Sequence, residues 1–251
     1  MLPGASVARA VLSFLLPDSC LACGSRLEGR LSHLCPACRD GLSPTLAFAE
    51  LPRSASSPTH PAREPARAAF ALDFAGPARA LVHALKYQGR AGAARVLGEA
   101  AGPTLARWAG EVDAIVPVPL HPVRRRERGF NQAELLANSL SAKFGAAVEP
   151  KWLRRKRLTS PQAALSREER LANVAAAFEA LGPATGARVL LLDDVVTTGA
   201  TLAAAAAELA RAGAASVLCC AVAGRRLEEA QPAPRRPASA PETARHSREG
   251  R

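Results

Sequence analysis

The stretch Val189-Leu190-Leu191-Leu192-Asp193-Asp194-Val195-Val196-Thr197-Thr198-Gly199-Ala200-Thr201 decides the fold. Its short, bounded apolar run reads as a strand covered on both faces, the kind from which parallel sheets flanked by helices are built. The strand delivers two adjacent carboxylates at its C-terminal end, where open α/β sheets bind ligands. Beyond them, small and hydroxyl residues lead into an Ala-rich helix starting near Thr201. Such a turn aims backbone N–H groups and Thr hydroxyls at one phosphate, and the positive end of the helix dipole adds to the attraction. Two carboxylates would repel that phosphate, so they face ribose hydroxyls or a hydrated Mg²⁺ instead. A ribose 5-phosphate suits the arrangement. An Asp-Asp at a solvated strand end is the plain alternative.

Outward from this segment, residues 67–224 alternate long amphipathic stretches with short β-branched apolar runs, the pattern of a parallel sheet flanked by helices. Helices are expected at 77–87, 92–109, 131–144, 167–177 and 201–212, and strands at 69–74, 114–118, 188–192 and 216–222. Gly145 and Gly213 sit where left-handed helix caps belong, and Ser166 with Glu169 has capping-box spacing. Cys219 and Cys220 fall inside an apolar run and read as ordinary strand residues. Residues 51–66 are dense in Pro, Ser and Arg and read as a linker, and residues 225–251 as a disordered tail.

Two basic stretches flank the acidic pair. Val116 to Gln132 leaves a strand through Pro117 and Pro119, then runs through a charged turn, Arg124-Arg125-Arg126-Glu127-Arg128, to a helix. Prolines fix an extended exit from the sheet, and guanidiniums grip phosphate oxygens bidentately, so the turn fits a polyanion such as pyrophosphate. Taken alone it also reads as a solvated basic turn. Arg154-Arg155-Lys156-Arg157-Leu158-Thr159-Ser160-Pro161-Gln162 is basic, lacks core residues, and reads as a mobile loop ahead of the helix at 167–177.

Residues 1–50 hold Cys20-x2-Cys23 and, eleven residues later, Cys35-x2-Cys38. Two such pairs close a tetrahedral thiolate site for a structural Zn²⁺, and a segment this short needs a staple to fold. Gly24 supplies the backbone freedom of a knuckle, while His33 between the pairs reads as an exposed loop residue.

The 251 residues carry 33 basic against 22 acidic side chains and are 48% apolar, which excludes wholesale disorder. All but four of the cations are Arg, and Ala is equally favoured, so coding bias weakens the link from a net charge of +11 to nucleic acid. No segment approaches the ~20 apolar residues of a membrane span, and the N-terminus matches a signal peptide poorly. The expected location is the cytoplasm, with no membrane partner, and six Cys in a reducing compartment point to metal or burial rather than disulfides.

The segment 189–201 resembles, along its whole length, the phosphoribosyl pyrophosphate signature of type I phosphoribosyltransferases. The resemblance implies that Asp193 and Asp194 hold the ribose 2′- and 3′-hydroxyls. The 5′-phosphate would rest on Thr197, Thr198, Gly199, Ala200 and Thr201, with Val195 and Val196 completing the phosphoribosyl segment. Pyrophosphate would meet Pro119, Leu120, Arg124, Arg126 and Arg128, and the expected catalytic residues are Asp193, Asp194 and Arg128. In glutamine-dependent amidophosphoribosyltransferases a basic segment comparable to Arg154–Gln162 closes over the pyrophosphate and excludes water.

In order and spacing, the Cys pairs, Ala84-Leu85-Lys86-Tyr87-Gln88-Gly89, the Pro117-Val118-Pro119-Leu120…Arg128-Gly129-Phe130-Asn131-Gln132 stretch, Thr159…Pro161-Gln162 and the acidic-pair loop resemble the ComF-type competence family. Members carry a double zinc ribbon; here there is one set of Cys pairs, and residues 51–66 contain no Cys. The implied architecture is α/β: a type I phosphoribosyltransferase-like parallel sheet with a small N-terminal zinc-ribbon module. Two readings of function stay open. One is an enzyme using Mg²⁺ and phosphoribosyl pyrophosphate to transfer a phosphoribosyl group to an acceptor. The other is a non-catalytic DNA-uptake accessory that binds single-stranded DNA or a competence helicase.

Overall fold

The structure is a computed structural model, and it describes residues 19–27, 33–52, 67–156 and 177–225. In chain order these form α1 (Pro36–Asp40), β1 (Ala47–Glu50), β2 (Arg67–Asp73), α2 (Gly76–Tyr87), α3 (Gly92–Leu105) with a 3-10 turn, β3 (Ala114–Pro117) and α4 (Pro122–Arg128). There follow α5 (Gln132–Phe144), β4 (Ala147–Val148), β5 (Leu153–Arg155), β6 (Phe178–Ala180), β7 (Arg188–Val196), α6 (Ala200–Arg211) and β8 (Ser216–Gly224).

Val189, Leu190, Leu191 and Leu192 are all fully buried, and the reason is their place in the sheet. Six strands lie in the order β1-β2-β8-β7-β3-β4, so β7 is central, hydrogen-bonded in parallel to β8 on one side and β3 on the other. Side chains alternate across a strand. Leu190 and Leu192 therefore enter the core under α2, α3 and α5, whereas Val189 and Leu191 enter the core under α6 and the β5–β6 hairpin. The face of α3 is small where it meets α5: a Cβ on Gly98 would strike Ser139, and one on Gly102 would strike Lys143. Among the described residues no helix is long and apolar enough to cross a membrane.

The parallel sheet with flanking helices is thus the fold that the apolar periodicity predicts, with β7 and β8 each running further than expected, to Val196 and Gly224. Cys219 and Cys220 are buried residues of β8, as read. Three elements depart from the sequence reading. Arg124 to Arg128 is a helical turn and a half rather than a loop: Pro122 starts it, His121 accepts from the Val123 amide at 3.3 Å, and Gly129, at φ 81, ends it in the left-handed conformation. Arg154 and Arg155, read as part of a mobile loop, are strand residues of β5, paired antiparallel with Glu179 and Phe178 of β6. The long Arg155 stem explains this, since its guanidinium lies over the Phe178 ring at 5.4 Å, where a charged residue gains from an aromatic face. Residues 157–162 of the expected loop, the capping box at Ser166 and all of the helix expected at 167–177 except Ala177, which is a bend, lie outside the described residues.

The third departure is at the N-terminal side. Ala47–Glu50, within the stretch read as the Cys-bearing module, is the antiparallel edge strand of the main sheet, hydrogen-bonded to β2. Cys20, Leu34 and Leu42 join the same core as α2 and α3.

Asn131 joins the exit of β3 to α5. Its Nδ2 donates to the Val118 carbonyl at 3.0 Å, and its Oδ1 accepts from the Ala133 amide at 3.2 Å as the helix cap, all of it buried. Asn131→Ala loses a cap worth ~1 kcal/mol and strands a buried carbonyl at ~1–3 kcal/mol. Urea denaturation should therefore show a loss of roughly 2–4 kcal/mol, and Asn131→Ser, which keeps a capping oxygen without the reach to Val118, should recover part of it. Equal losses in the two variants would remove the cap from the account.

Candidate functional site

The site is built where β7 ends. Asp193 and Asp194 are its sixth and seventh residues, and the Asp194 amide donates to Asp193 Oδ1 at 2.8 Å. Asp194 is buried, and its Oδ1 lies 2.7 Å from Lys86 Nζ at the last turn of α2. Burial, then the charge of Asp194, push the Asp193 carboxyl up to about 7 against the pull of Lys86, the Asp194 amide and Arg155. Burial alone would lower the Lys86 ammonium, yet Asp194 and Asp193 more than offset it and hold it above its ordinary value. Two neighbouring carboxylates with one resident ammonium make a place for a further cation or for hydroxyl donors.

Thr197 and Thr198 are exposed in the turn after β7, and Gly199 starts α6 with φ 72. That left-handed value suits glycine alone, and a Cβ there would also lie 2.5 Å from Leu51 Cδ2 and 3.3 Å from the Glu50 carbonyl. No side chain caps α6, so the amides of its first turn, with the Thr197, Thr198 and Thr201 hydroxyls close by in sequence, are available to a ligand. Val195 and Val196 serve the walls of the two cores.

The residues expected to meet pyrophosphate part company. Pro119, Leu120 and Arg126 line one cleft at the exit of β3, held against β7 by the Val118 amide, which donates to Leu192 O at 2.8 Å. Arg124 turns to Glu127 at 3.0 Å on the outer side of α4. Arg128 lies over the Tyr87 ring, 5.4 Å from its centre, next in sequence to Lys86. Arg125 and Arg155 belong to the basic stretches already read as fitting a polyanion, whereas Lys86 was given no role at the site. For Lys86 a signal existed, since it is one of only four Lys in a chain whose other cations are Arg.

The Cys pairs do converge. The four Sγ atoms of Cys20, Cys23, Cys35 and Cys38 lie within 4.8 Å of one another, and Cys23 and Cys35 are 3.7 Å apart. Zinc bonded tetrahedrally to sulfur at ~2.3 Å spaces its ligands about 3.8 Å apart, whereas a disulfide would need ~2.05 Å. Gly24, at φ 77, turns the first knuckle; the Cys20 amide donates to Ser25 O, and the Gly24 amide returns to Cys20 O. His33 contributes its backbone, accepting from the Leu21 amide at 3.0 Å.

Residues 107–242 match the family described as phosphoribosyl transferase domain. The chain is 36% identical over 205 residues to the DNA utilization protein YhgH of Salmonella typhimurium, covering 79% of this chain and 86% of that one. It is 36% identical over 87 residues to competence protein F of Haemophilus influenzae, covering 34% and 38% respectively. Among solved structures, glutamine phosphoribosylpyrophosphate amidotransferase from B. subtilis is 23% identical over 51% of this chain and 25% of that chain, with a TM-score of 0.34.

The raised Asp193 carboxyl carries a signature in stability. Moving from 3.8 when unfolded to about 7 when folded, it contributes stability that is fully present below about pH 4 and lost as pH rises through about 7. Asp193→Asn stays neutral throughout, so by thermal unfolding the variant should exceed the native chain at pH 8 and lose that advantage towards pH 4. A variant no more stable at pH 8 would mean that the second charge costs the fold nothing.

Proposed function

The chain belongs to the phosphoribosyl transferase domain family, in its competence-protein-F branch, and from that membership we propose that it binds phosphoribosyl pyrophosphate with Mg²⁺ at the C-terminal ends of β7 and β3. The observation that carries the reading is the contiguity of one strand end: the Lys86-paired carboxylates of Asp193 and Asp194 pass directly into the uncapped start of α6.

Asp194, held in place by Lys86, and Asp193 accept from the ribose 2′- and 3′-hydroxyls. The amides and hydroxyls of Thr197 to Thr201 hold the 5′-phosphate, with Gly199 letting the backbone close around it. Mg²⁺ fits this donor set, since the pair carries more negative charge than Lys86 returns, and when bound it would lie at Asp193 and Asp194 and offset the charge of the diphosphate. Transfer would break the bond from the anomeric carbon to the diphosphate oxygen, the electron pair leaving with the diphosphate, while a lone pair of the acceptor forms the new bond to that carbon. Charge builds on the departing diphosphate, and Arg126 at the β3 exit is positioned for it, while Arg128 lies beside Tyr87. The relatives named for DNA utilization and competence favour a second reading, an accessory protein in which the same site senses a nucleotide and the basic surface engages single-stranded DNA or a helicase. Such binding would weaken steeply with salt.

The four thiols we assign to one structural Zn²⁺. Metal analysis should find one zinc per chain, and Cys23→Ser/Cys38→Ser should lose it together with thermal stability, because binding energy at such a site is folding energy.

Calorimetric titration of the full chain with phosphoribosyl pyrophosphate and Mg²⁺ should release heat, and Asp193→Asn/Asp194→Asn should weaken binding at least tenfold, equivalent to ~1.4 kcal/mol. Silence from the native chain, or an affinity indifferent to the double variant, would end both the enzyme and the sensor readings. Release of pyrophosphate on adding acceptors separates those two.

A further inference from the structure

Tyr87 is the single tyrosine of the chain, and it is 67% exposed at the last residue of α2. Burial does not account for an aromatic ring there, yet its contacts are specific. One turn earlier in α2, His83 lies against it with ring centres 4.8 Å apart, and the Arg128 guanidinium stands over its face, 5.4 Å from the centre.

Two independent tethers bring Tyr87 and Arg128 to the acidic pair. On the α2 side, Tyr87 follows Lys86, whose ammonium reaches Asp194 Oδ1 at 2.7 Å. On the β3 side, Arg128 leads through Gly129 and Phe130 to Asn131, whose Nδ2 donates to the Val118 carbonyl. The Val118 amide in turn donates to the carbonyl of Leu192, the residue before Asp193. Both routes close on the end of β7.

A ring does for a cation what a carboxylate does not. Arg124 and Arg125 of the same helix meet Glu127 and Glu134, which offset part of their charge. The Tyr87 ring has no net charge, so its negative face orients the Arg128 guanidinium and leaves the positive charge for an incoming anion.

The side on which this happens selects the anion. Leu190 and Leu192 face the core under α2 and α5, whereas α6, with Thr197 to Thr201 at its start, covers the opposite face of the sheet. Arg128, at the end of α2, and the phosphate turn therefore flank the strand that carries Asp193 and Asp194 from its two faces. A sugar lying over the acidic pair with its 5′-phosphate in the turn reaches Arg128 only through a phosphate at its other end.

We propose that Tyr87 is a positioning residue that holds Arg128 for the diphosphate, and that it thereby sets the preference for a sugar phosphorylated at both ends over ribose 5-phosphate. The proposal rests on the phosphoribosyl reading above and adds the group that recognises the far phosphate.

The test is calorimetry on the full chain with Mg²⁺ and, in turn, phosphoribosyl pyrophosphate, ribose 5-phosphate and inorganic pyrophosphate. Tyr87→Leu keeps apolar bulk but has no aromatic face. It should weaken phosphoribosyl pyrophosphate and pyrophosphate about fivefold, equivalent to about 1 kcal/mol and the size of a cation–π contact, while ribose 5-phosphate stays within about twofold. Tyr87→Phe should bind all three as the native chain does. Added to Arg128→Gln, Tyr87→Leu should cost nothing more, because it acts through that guanidinium. The positioning role is overturned if Tyr87→Leu leaves phosphoribosyl pyrophosphate unchanged, weakens ribose 5-phosphate equally, or adds its own loss to that of Arg128→Gln. A loss in Tyr87→Phe as large as in Tyr87→Leu would overturn it too, by assigning the effect to the hydroxyl. If pyrophosphate alone depends on Tyr87 and Arg128 while neither sugar phosphate binds, the positioning role stands and the phosphoribosyl reading falls. If none of the three binds, or if only pyrophosphate binds and does so without regard to Tyr87, both fall.

Discussion

A buried strand that carries two consecutive carboxylates near its end has an electrostatic problem, and the ion pair between Lys86 and Asp194 is how this protein contains it. Removing two like charges from water without a partner costs several kcal/mol for each. One ammonium at 2.7 Å settles Asp194, and Asp193, left with the remainder, is pushed towards neutrality. The rest of the architecture follows from holding that arrangement. Lys86 must come from the last turn of α2, so α2 must pack against the sheet with that end at the strand tips, and Leu81, Val82 and Leu85 are buried to fix it there. A compact ammonium suits the task better than a guanidinium, whose planar fork would seek two oxygens at once.

The parallel sheet was legible because its signals are local. A run such as Val189 to Leu192, short and bounded by turn residues, reads as a strand with two covered faces, and Gly145 marks the end of α5 by itself, at φ 65. What escaped the sequence depended on partners far along the chain. Arg154 and Arg155 look like loop because they are charged, and only the Phe178 ring beside Arg155 makes a strand of them. The helix α4 was hidden by its own charge, although Pro122 at its start and Gly129 at its end are ordinary helix punctuation. In the site, the acidic pair and the glycine turn were visible as a continuous string. Lys86 was not, since nothing in its neighbourhood says that its ammonium crosses to a strand more than a hundred residues later.

The separation of the pyrophosphate candidates has the same origin. Arg124, Arg126 and Arg128 look equivalent in a row, but on a helix they point in different directions, so one lines the cleft, one turns to Glu127 and one covers Tyr87. Helical periodicity, once the segment is known to be helical, distributes the three roles.

The edge strand β1 joins two parts of the molecule that look independent in the sequence. Behind it the chain leads back to the thiol cluster, and just past its end Leu51 rests on Gly199. A fragment that begins at Arg67 would therefore expose the hydrogen-bonding edge of β2, a template for adding foreign strands, and would strip the backing from the turn that precedes α6. Because Cys20, Leu34 and Leu42 also pack into the core of α2 and α3, the proline-rich stretch that first invites the cut is not a seam between independent units.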